Sequence, residues 1–174
     1  MKFTFTGDFA SLEKFANRVS RAPDVLDTVG QQLAEESLEL VRSGFEDETD
    51  PYGEPWKPLV LRRGKTLADS GGLKASWHRR EANRHGFSIA SAKAYAKYHQ
   101  GGTGIYGPRG QPIKSIKAKA LKLPGGIFRK SVKGSPIRKM VPEGANVPPL
   151  WMDRFRETAF EVLTEHFKRG RKKR

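Results

Sequence analysis

The sequence predicts an α+β fold in which N-terminal helices and a C-terminal helix pack on a small, mostly antiparallel sheet, with a long basic β-hairpin arm. Helical periodicity near both ends, short alternating stretches such as HGFSIAS, and a Gly-, Pro- and Lys-rich segment at about 101–149 support this fold. A chain of 174 residues with 36% hydrophobic content can bury one sizeable core. We expect one domain over residues 1–167, arm included, and a basic tail over 168–174.

The N-terminal part begins with KFTFT at 2–6, which alternates as a short strand does, and Asp8 suits the cap of a helix through FASLEKFANRVSR. Pro23 suits the first turn of a second helix that ends near Gly44. Five apolar residues of this helix fall within about 100° on a helical wheel and predict one core face: Val25, Leu26, Val29, Leu33 and Leu40. Glu36 falls inside the same arc. It is either a side chain that snorkels from the end of the stripe or a carboxylate that faces a basic neighbouring subunit.

The stretch FEDETDPYGEPWKPL at 45–59 follows this helix and collects acids around a turn. Asp50 and Pro51 suit the turn, and Gly53 lets it reverse. The large ring of Trp56 is expected to anchor it in the core or against an adjacent subunit. A calcium loop with Gly53 in sixth position would need Glu in twelfth position, where this sequence has a leucine. The acids are therefore predicted to contact a basic partner: Glu46, Asp47, Glu48 and Asp50.

The middle and last regions supply the remaining elements. We expect a short helix from Gly72, a strand in HGFSIAS, a helical turn in AKAYAKYHQGG, and then the arm, which we expect to order on assembly. The last helix follows Pro148 and Pro149. Its apolar residues sweep about 180°, more than one core contact requires: Trp151, Met152, Phe155, Ala159, Phe160, Val162, Leu163 and Phe167. One side is expected to face the core and the other a partner, with Trp151 and Phe155 as subunit-interface candidates.

The net charge of +14 is unevenly distributed along the chain. Residues 1–60 carry six Lys or Arg against twelve Asp or Glu, whereas residues 61–149 carry nineteen against three. Such asymmetry lets the acidic part of one copy meet the basic part of another, or directs the basic part to a polyanion. A basic surface that only aids solubility is the third alternative.

The basic residues of the arm are candidates for a DNA-lined lumen or for an acidic partner: Lys114, Lys117, Lys119, Lys122, Arg129, Lys130, Lys133, Arg138 and Lys139. Phe128 and Tyr106 are the only aromatic residues near them, so base stacking is poorly provided for. Any nucleic-acid contact is expected to be with phosphates and without sequence specificity.

Enzyme chemistry has no positive support in the sequence. There is no cysteine, the four histidines lack ligand spacing, and the glycine pairs form neither a P-loop nor a dinucleotide fingerprint. We expect no catalytic residue, metal, cofactor or small-molecule substrate. No stretch approaches the roughly 18 apolar residues of a membrane span and MKFTFTGDF lacks a signal-peptide run, so we expect a soluble protein without a membrane partner.

Three motifs in order resemble those of the virion morphogenesis, or tail completion, proteins of Mu-like and P2-like tailed phages. They are Pro-x-Gly-x-x-Trp after the first long helix, Leu-x-x-Ser/Thr-Gly-x-Leu-x-x-Ser, and Tyr-Ala-x-x-His-Gln-x-Gly before the arm. Here they fall on Pro51, Gly53 and Trp56; on Leu67, Ser70, Gly71, Leu73 and Ser76; and on Tyr95, Ala96, His99, Gln100 and Gly102. The similarity covers roughly residues 20–165. Many members carry an arginine before the last helix where this chain has VPPLW, so no role of that arginine transfers.

The resemblance implies a non-catalytic α+β component of the head–tail neck. It implies a ring-forming tail completion, tail terminator or connector subunit, hexameric by expectation, whose partners are its own copies, neighbouring neck and tail proteins, and DNA in the lumen as an open alternative to acidic protein. Its location would be the virion neck, and the host cytoplasm during assembly. The alternative is a non-enzymatic, non-sequence-specific nucleic-acid-binding protein.

Overall fold

The computed structural model describes residues 9–59, 64–144 and 146–172, and the predicted strand at 2–6 and the cap at Asp8 lie outside them. The helices are α1 (Phe9–Ser20), α2 (Pro23–Asp47), α3 (Ala96–Gln100) and α4 (Pro149–Lys172). The strands are β1 (Trp77–Asn83), β2 (Gly86–Ser91), β3 (Ile113–Lys114), β4 (Leu121–Lys122), β5 (Phe128–Arg129) and β6 (Ser131–Val132). Every strand pair described is antiparallel, and the predicted α+β class is confirmed.

Helix α2 lies between α4 and the β1–β2 hairpin. It begins at Pro23 as predicted, but it continues one turn past Gly44. Its buried residues are Val25, Gly30, Ala34, Ser37, Leu38, Val41 and Phe45. Most of the predicted apolar stripe is only half-buried. The predicted position of the core face was therefore wrong: the buried residues after Val25 fall within about 100° of one another on the wheel, on an arc beside the predicted one, and Gly30 brings this face against the hairpin.

The close approach of α2 to the hairpin is fixed at two points. A Cβ atom at Gly30 would overlap the carbonyl oxygen of Asn83, so only glycine fits there. Nearby, the backbone N–H of Arg84 donates a hydrogen bond of 2.7 Å to Asp27 Oδ1. The hairpin thus docks on the helix through backbone groups as well as side chains.

One hydrophobic core joins α2, α4 and the segments between them. Its buried residues are Val41, Phe45, Trp56, Leu67, Leu73, Ala96, Met140 and Trp151. Strand β2 and the turn α3 were predicted, whereas β1 was not, since its sequence WHRREAN is mostly exposed and lacks alternation. Helix α4 extends to Lys172, into the segment assigned to the basic tail.

The predicted β-hairpin arm is present and is shorter than 101–149. Strands β3 and β6 pair at its base, β4 and β5 pair near its tip, and a 3-10 turn at Pro124–Gly126 closes it. We use "the arm" below for residues 111–132. The flanking segments pack on the domain, where Thr103 N–H donates to Ser135 O at 2.9 Å and Ile105 N–H donates to Lys133 O at 2.8 Å.

Candidate functional site

The acidic turn after α2 is built largely from hydrogen bonds. Asp50 Oδ1 accepts the N–H groups of Tyr52 at 2.8 Å and Glu54 at 3.0 Å, and Gly53 has a φ of 88°. Glu48 ends the helix in the left-handed region at φ 57°. The predicted turn at Asp50 and Gly53 is confirmed, and it holds the acidic stretch against the end of α2.

Trp56 and Trp151 are core residues. The indole N–H of Trp56 donates to Lys139 O at 2.8 Å, and its ring meets Phe45 edge to face at 5.3 Å between centroids. Trp151 packs edge to face on Phe155, whose ring is half-buried. Of the two alternatives for Trp56, the anchor in the core is confirmed, and the assignment of Trp56 and Trp151 to a subunit interface is corrected, because both side chains are buried in the chain's own core.

Three of the acidic interface candidates have partners within the chain. Glu36, with 15% of its side chain exposed, accepts the Nε–H of Arg154 at 2.7 Å, and this bond raises the pKa of Arg154. Glu46 pairs with Lys74 at 2.6 Å, and that hydrogen bond lowers the pKa of Glu46. The hydrogen bond from a backbone N–H (Thr66) at 2.8 Å lowers the pKa of Glu48. Each of the three therefore has a partner within the fold, and the predicted contact with a basic neighbouring subunit stays a prediction, because an exposed carboxylate such as that of Glu46 can accept further hydrogen bonds.

Asp47 and Asp50 differ from these three acids. Among the residues that the structure describes, no cation lies within ion-pair distance of either carboxylate. Both line a pocket of about 90 Å³ between the end of α2 and the start of α4. Its apolar lining includes Leu40, Met140 and Leu150. We call this site the acidic pocket; Leu150 leaves 64% of its surface exposed.

The second and third sequence motifs meet around a different pocket, of about 310 Å³. Six motif residues line it: Leu67, Ser70, Gly71, Leu73, Tyr95 and His99. Burial, and to a smaller extent the charge of Arg138, lowers the pKa of His99. The Nδ1 atom of His99 is buried without a hydrogen-bond partner among the described residues. Sequence spacing alone could not show that these segments adjoin.

The third motif also fixes the segment after the arm. Gln100 Oε1 accepts the N–H of Met140 at 2.8 Å, and its Nε2 donates to Val141 O at 2.7 Å. Gly102 has a φ of 70°, and a Cβ there would crowd Tyr106 O at 2.6 Å. The motif therefore stabilises the base on which the arm stands.

Two of the nine predicted arm cations belong to the body of the domain. Arg138 is buried, and its guanidinium donates to Lys57 O at 2.9 Å and to Pro58 O at 3.3 Å. Lys139 pairs with Glu143 at 3.2 Å. The assignment of Arg138 to a DNA lumen or an acidic partner is corrected, because a guanidinium enclosed by carbonyl groups cannot present its charge to a polyanion.

The remaining seven cations are exposed, six of them on the arm and Lys133 at its base. In the described part of the chain none of the seven takes part in an ion pair. The arm contains no acidic residue. It also exposes Ile116 at 98% and Phe128 at 63% of their surface. Sequence analysis missed the acidic pocket and the exposure of Ile116 and Phe128; for the pocket, the available signal was an apolar residue, Leu150, directly after two prolines.

Among residues 9–59, 64–144 and 146–172, no group of His, Asp and Glu has a metal-binding arrangement. None of the helices described there combines the length and the hydropathy that a membrane crossing requires. Neither the curated proteins nor the solved structures contain a match to this chain. The model of the phage virion morphogenesis family matches residues 8–136, most of the sequence and all three motifs. The chain belongs to the phage virion morphogenesis family, and its role is in the structure or assembly of a phage virion.

Proposed function

We propose that the protein is a subunit of a closed ring, hexameric by expectation, that completes the tail or joins head and tail at the neck of the virion. It acts through contacts with its own copies and with neighbouring neck and tail proteins, without catalysis. The observation that carries the proposal is the arm, whose six cations are exposed and whose apolar residues Ile116 and Phe128 find no cover in the domain. Family membership supplies the setting.

The energetics of the arm favour assembly. Ordering a residue costs roughly 1–2 kcal/mol of backbone entropy, and an isolated two-stranded hairpin is marginal in water. The arm places little apolar surface in its own domain to offset that cost. Contacts with a neighbouring molecule would supply the missing burial, and heterologous contacts of this kind form a ring when the rotation from one subunit to the next closes.

Helix α4 provides a second unpartnered surface. Trp151 faces the core, whereas Met152 and Phe160 on the other side are exposed. The expectation that one side of this helix faces the core is confirmed, and we assign the other side to a neighbouring subunit or neck protein.

The uncovered cations also favour a contact with DNA. In a ring they would line the path of the DNA, where attraction to phosphates requires no sequence reading. A free-standing nucleic-acid-binding protein is the alternative, and it predicts salt-sensitive DNA binding by the isolated monomer.

The test is complementation of a phage that lacks this chain. We expect heads and tails to accumulate unjoined or tails to be incomplete, and the supplied protein to appear at the neck by electron microscopy. Mass photometry of the purified protein, alone and with its neck partners, should show ring-sized particles. A strictly monomeric protein whose absence leaves intact virions would contradict the proposal.

A further inference from the structure

The arm tip, which we define as residues 121–129 from β4 to β5, combines an exposed aromatic ring with a cation on one face. In the β4–β5 ladder Phe128 lies directly opposite Lys122, and residues opposite each other in a ladder project from the same side. Phe128 is 63% exposed, and no ion pair forms at Lys122 within the described chain. This face therefore carries an apolar group and a positive charge that the domain itself leaves unused.

The acidic pocket has the opposite character. Leu40, Met140 and Leu150 supply an apolar lining, and Asp47 and Asp50 supply two negative charges. Asp50 uses one oxygen for two backbone N–H groups. A carboxylate offers about four acceptor positions, so the Asp50 side chain retains capacity for a cation.

Size and reach are compatible with a contact between these two surfaces. A cavity of about 150 Å³ admits a whole benzene ring, so a pocket of about 90 Å³ takes the edge of a phenyl ring or an aliphatic side chain. Each half of the arm has roughly ten extended residues, which span at most about 35 Å. That distance is enough to reach across to an adjacent molecule of this size.

We propose that the arm tip of one copy docks in the acidic pocket of a second copy, with Phe128 against the apolar lining and Lys122 beside Asp47 and Asp50. This inference rests on the proposed ring and names one of its subunit contacts. Tip and pocket are different surfaces, so the contact is heterologous and can propagate around a closed ring. The occupant is a second copy because it carries both the matching charge and the matching apolar group.

The test in solution uses two variants and a mixture. The tip variant Lys122→Glu/Phe128→Ala and the pocket variant Asp47→Lys/Asp50→Asn each retain one intact surface, and asparagine keeps the oxygen that forms the turn. Each alone should lose rings, with the dissociation constant of the contact raised about 30-fold or more, as for loss of an aromatic anchor. Mixed in equal amounts, they should form one-to-one complexes that grow no further.

The matched control is Arg80→Glu/Tyr98→Ala, which makes the same change of charge and removes an exposed aromatic ring outside the arm. It should retain rings, because neither residue belongs to the tip. Loss of rings to the same extent as in the tip variant would show a general charge effect and overturn the proposal. So would full assembly of the tip variant into rings, including assembly with a loss of DNA affinity that the control does not show, which would assign the arm to DNA.

A crosslink tests the contact in the virion. Because the chain has no cysteine, Ile127→Cys with Leu150→Cys introduces the only pair, and oxidation should yield a ladder of linked subunits; Ile116→Cys with Leu150→Cys is the control. If the protein is present at the neck but no series of linked subunits forms, the docking is wrong and the proposed function stands. Absence of the protein from a joined, infectious virion overturns the proposed function itself, and the docking with it.

Discussion

Replacing Trp56 tests whether the turn after α2 is held by the core. Trp56 is 7% exposed and lies in the central cluster, and truncation of such a residue to alanine costs about 3–5 kcal/mol. Trp56→Phe keeps a six-membered aromatic ring but leaves the carbonyl of Lys139 without its donor. The lost hydrogen bond lowers the free energy of unfolding by about 1–3 kcal/mol. A domain of this size loses roughly 2–4 °C in Tm per kcal/mol. We therefore expect losses of about 10 °C or more for Trp56→Ala and about 5 °C for Trp56→Phe.

The matched control is Tyr52→Phe, which removes a hydrogen bond of the same length to the carbonyl of Asn146 at an exposed position. Water replaces that donor, so its Tm should change by no more than about 1 °C. Thermal unfolding followed by circular dichroism measures all three variants. Equal Tm values for Trp56→Ala and the wild type would refute a core role for Trp56. Equal losses for Trp56→Phe and Tyr52→Phe would refute the role assigned to the buried hydrogen bond.

Two further predictions concern α2 and the motif pocket. Gly30→Ala should destabilise the protein by about 1–3 kcal/mol in urea unfolding, because the added Cβ overlaps Asn83 O. At an open helical position the same change stabilises a helix by about 1 kcal/mol, and Gln32→Ala, on the exposed side, is the control. Stabilisation by Gly30→Ala would contradict the close approach of helix and hairpin. Burial and a neighbouring guanidinium lower the pKa of His99 in the folded state, so protonation favours the unfolded state and stability falls as the pH drops below about 6.5. His99→Gln should flatten that decline while His85→Gln leaves it unchanged, and an unaltered slope for His99→Gln would count against this account.

The sequence predicted those elements whose pattern is local. The start of α2 at Pro23, strand β2 and the hairpin arm each follow from a cap, an alternation or a composition that is visible in a short window. The buried face of α2 was misplaced because Gly30, Ala34 and Ser37, which lie on that face, carry little hydrophobic signal. Their burial depends on the hairpin that approaches them.

The candidate site shows the same division. Asp47 and Asp50 were among the acids selected from the sequence, but nothing in it separated them from Glu46 and Glu48, whose partners come from residues about twenty to thirty positions away. Arg138 was grouped with the arm because it is basic, and only its three-dimensional setting assigns it to the core. Contacts between distant segments therefore decided which charges remain available to a partner.

The base of the arm has a mechanical consequence. A Cβ at Gly104 would overlap the carbonyl oxygen of Lys133, and one at Gly134 would overlap that of Thr103. The segment that enters the arm and the segment that leaves it therefore cross here with their backbones in contact. With at most about 35 Å of extended chain beyond this crossing, a rotation of about 10° there moves the tip by roughly 6 Å. Gly104 and Gly134 therefore determine the direction in which the arm extends from the domain. A substitution at either would misdirect the tip while every residue of the tip and of the pocket stayed intact.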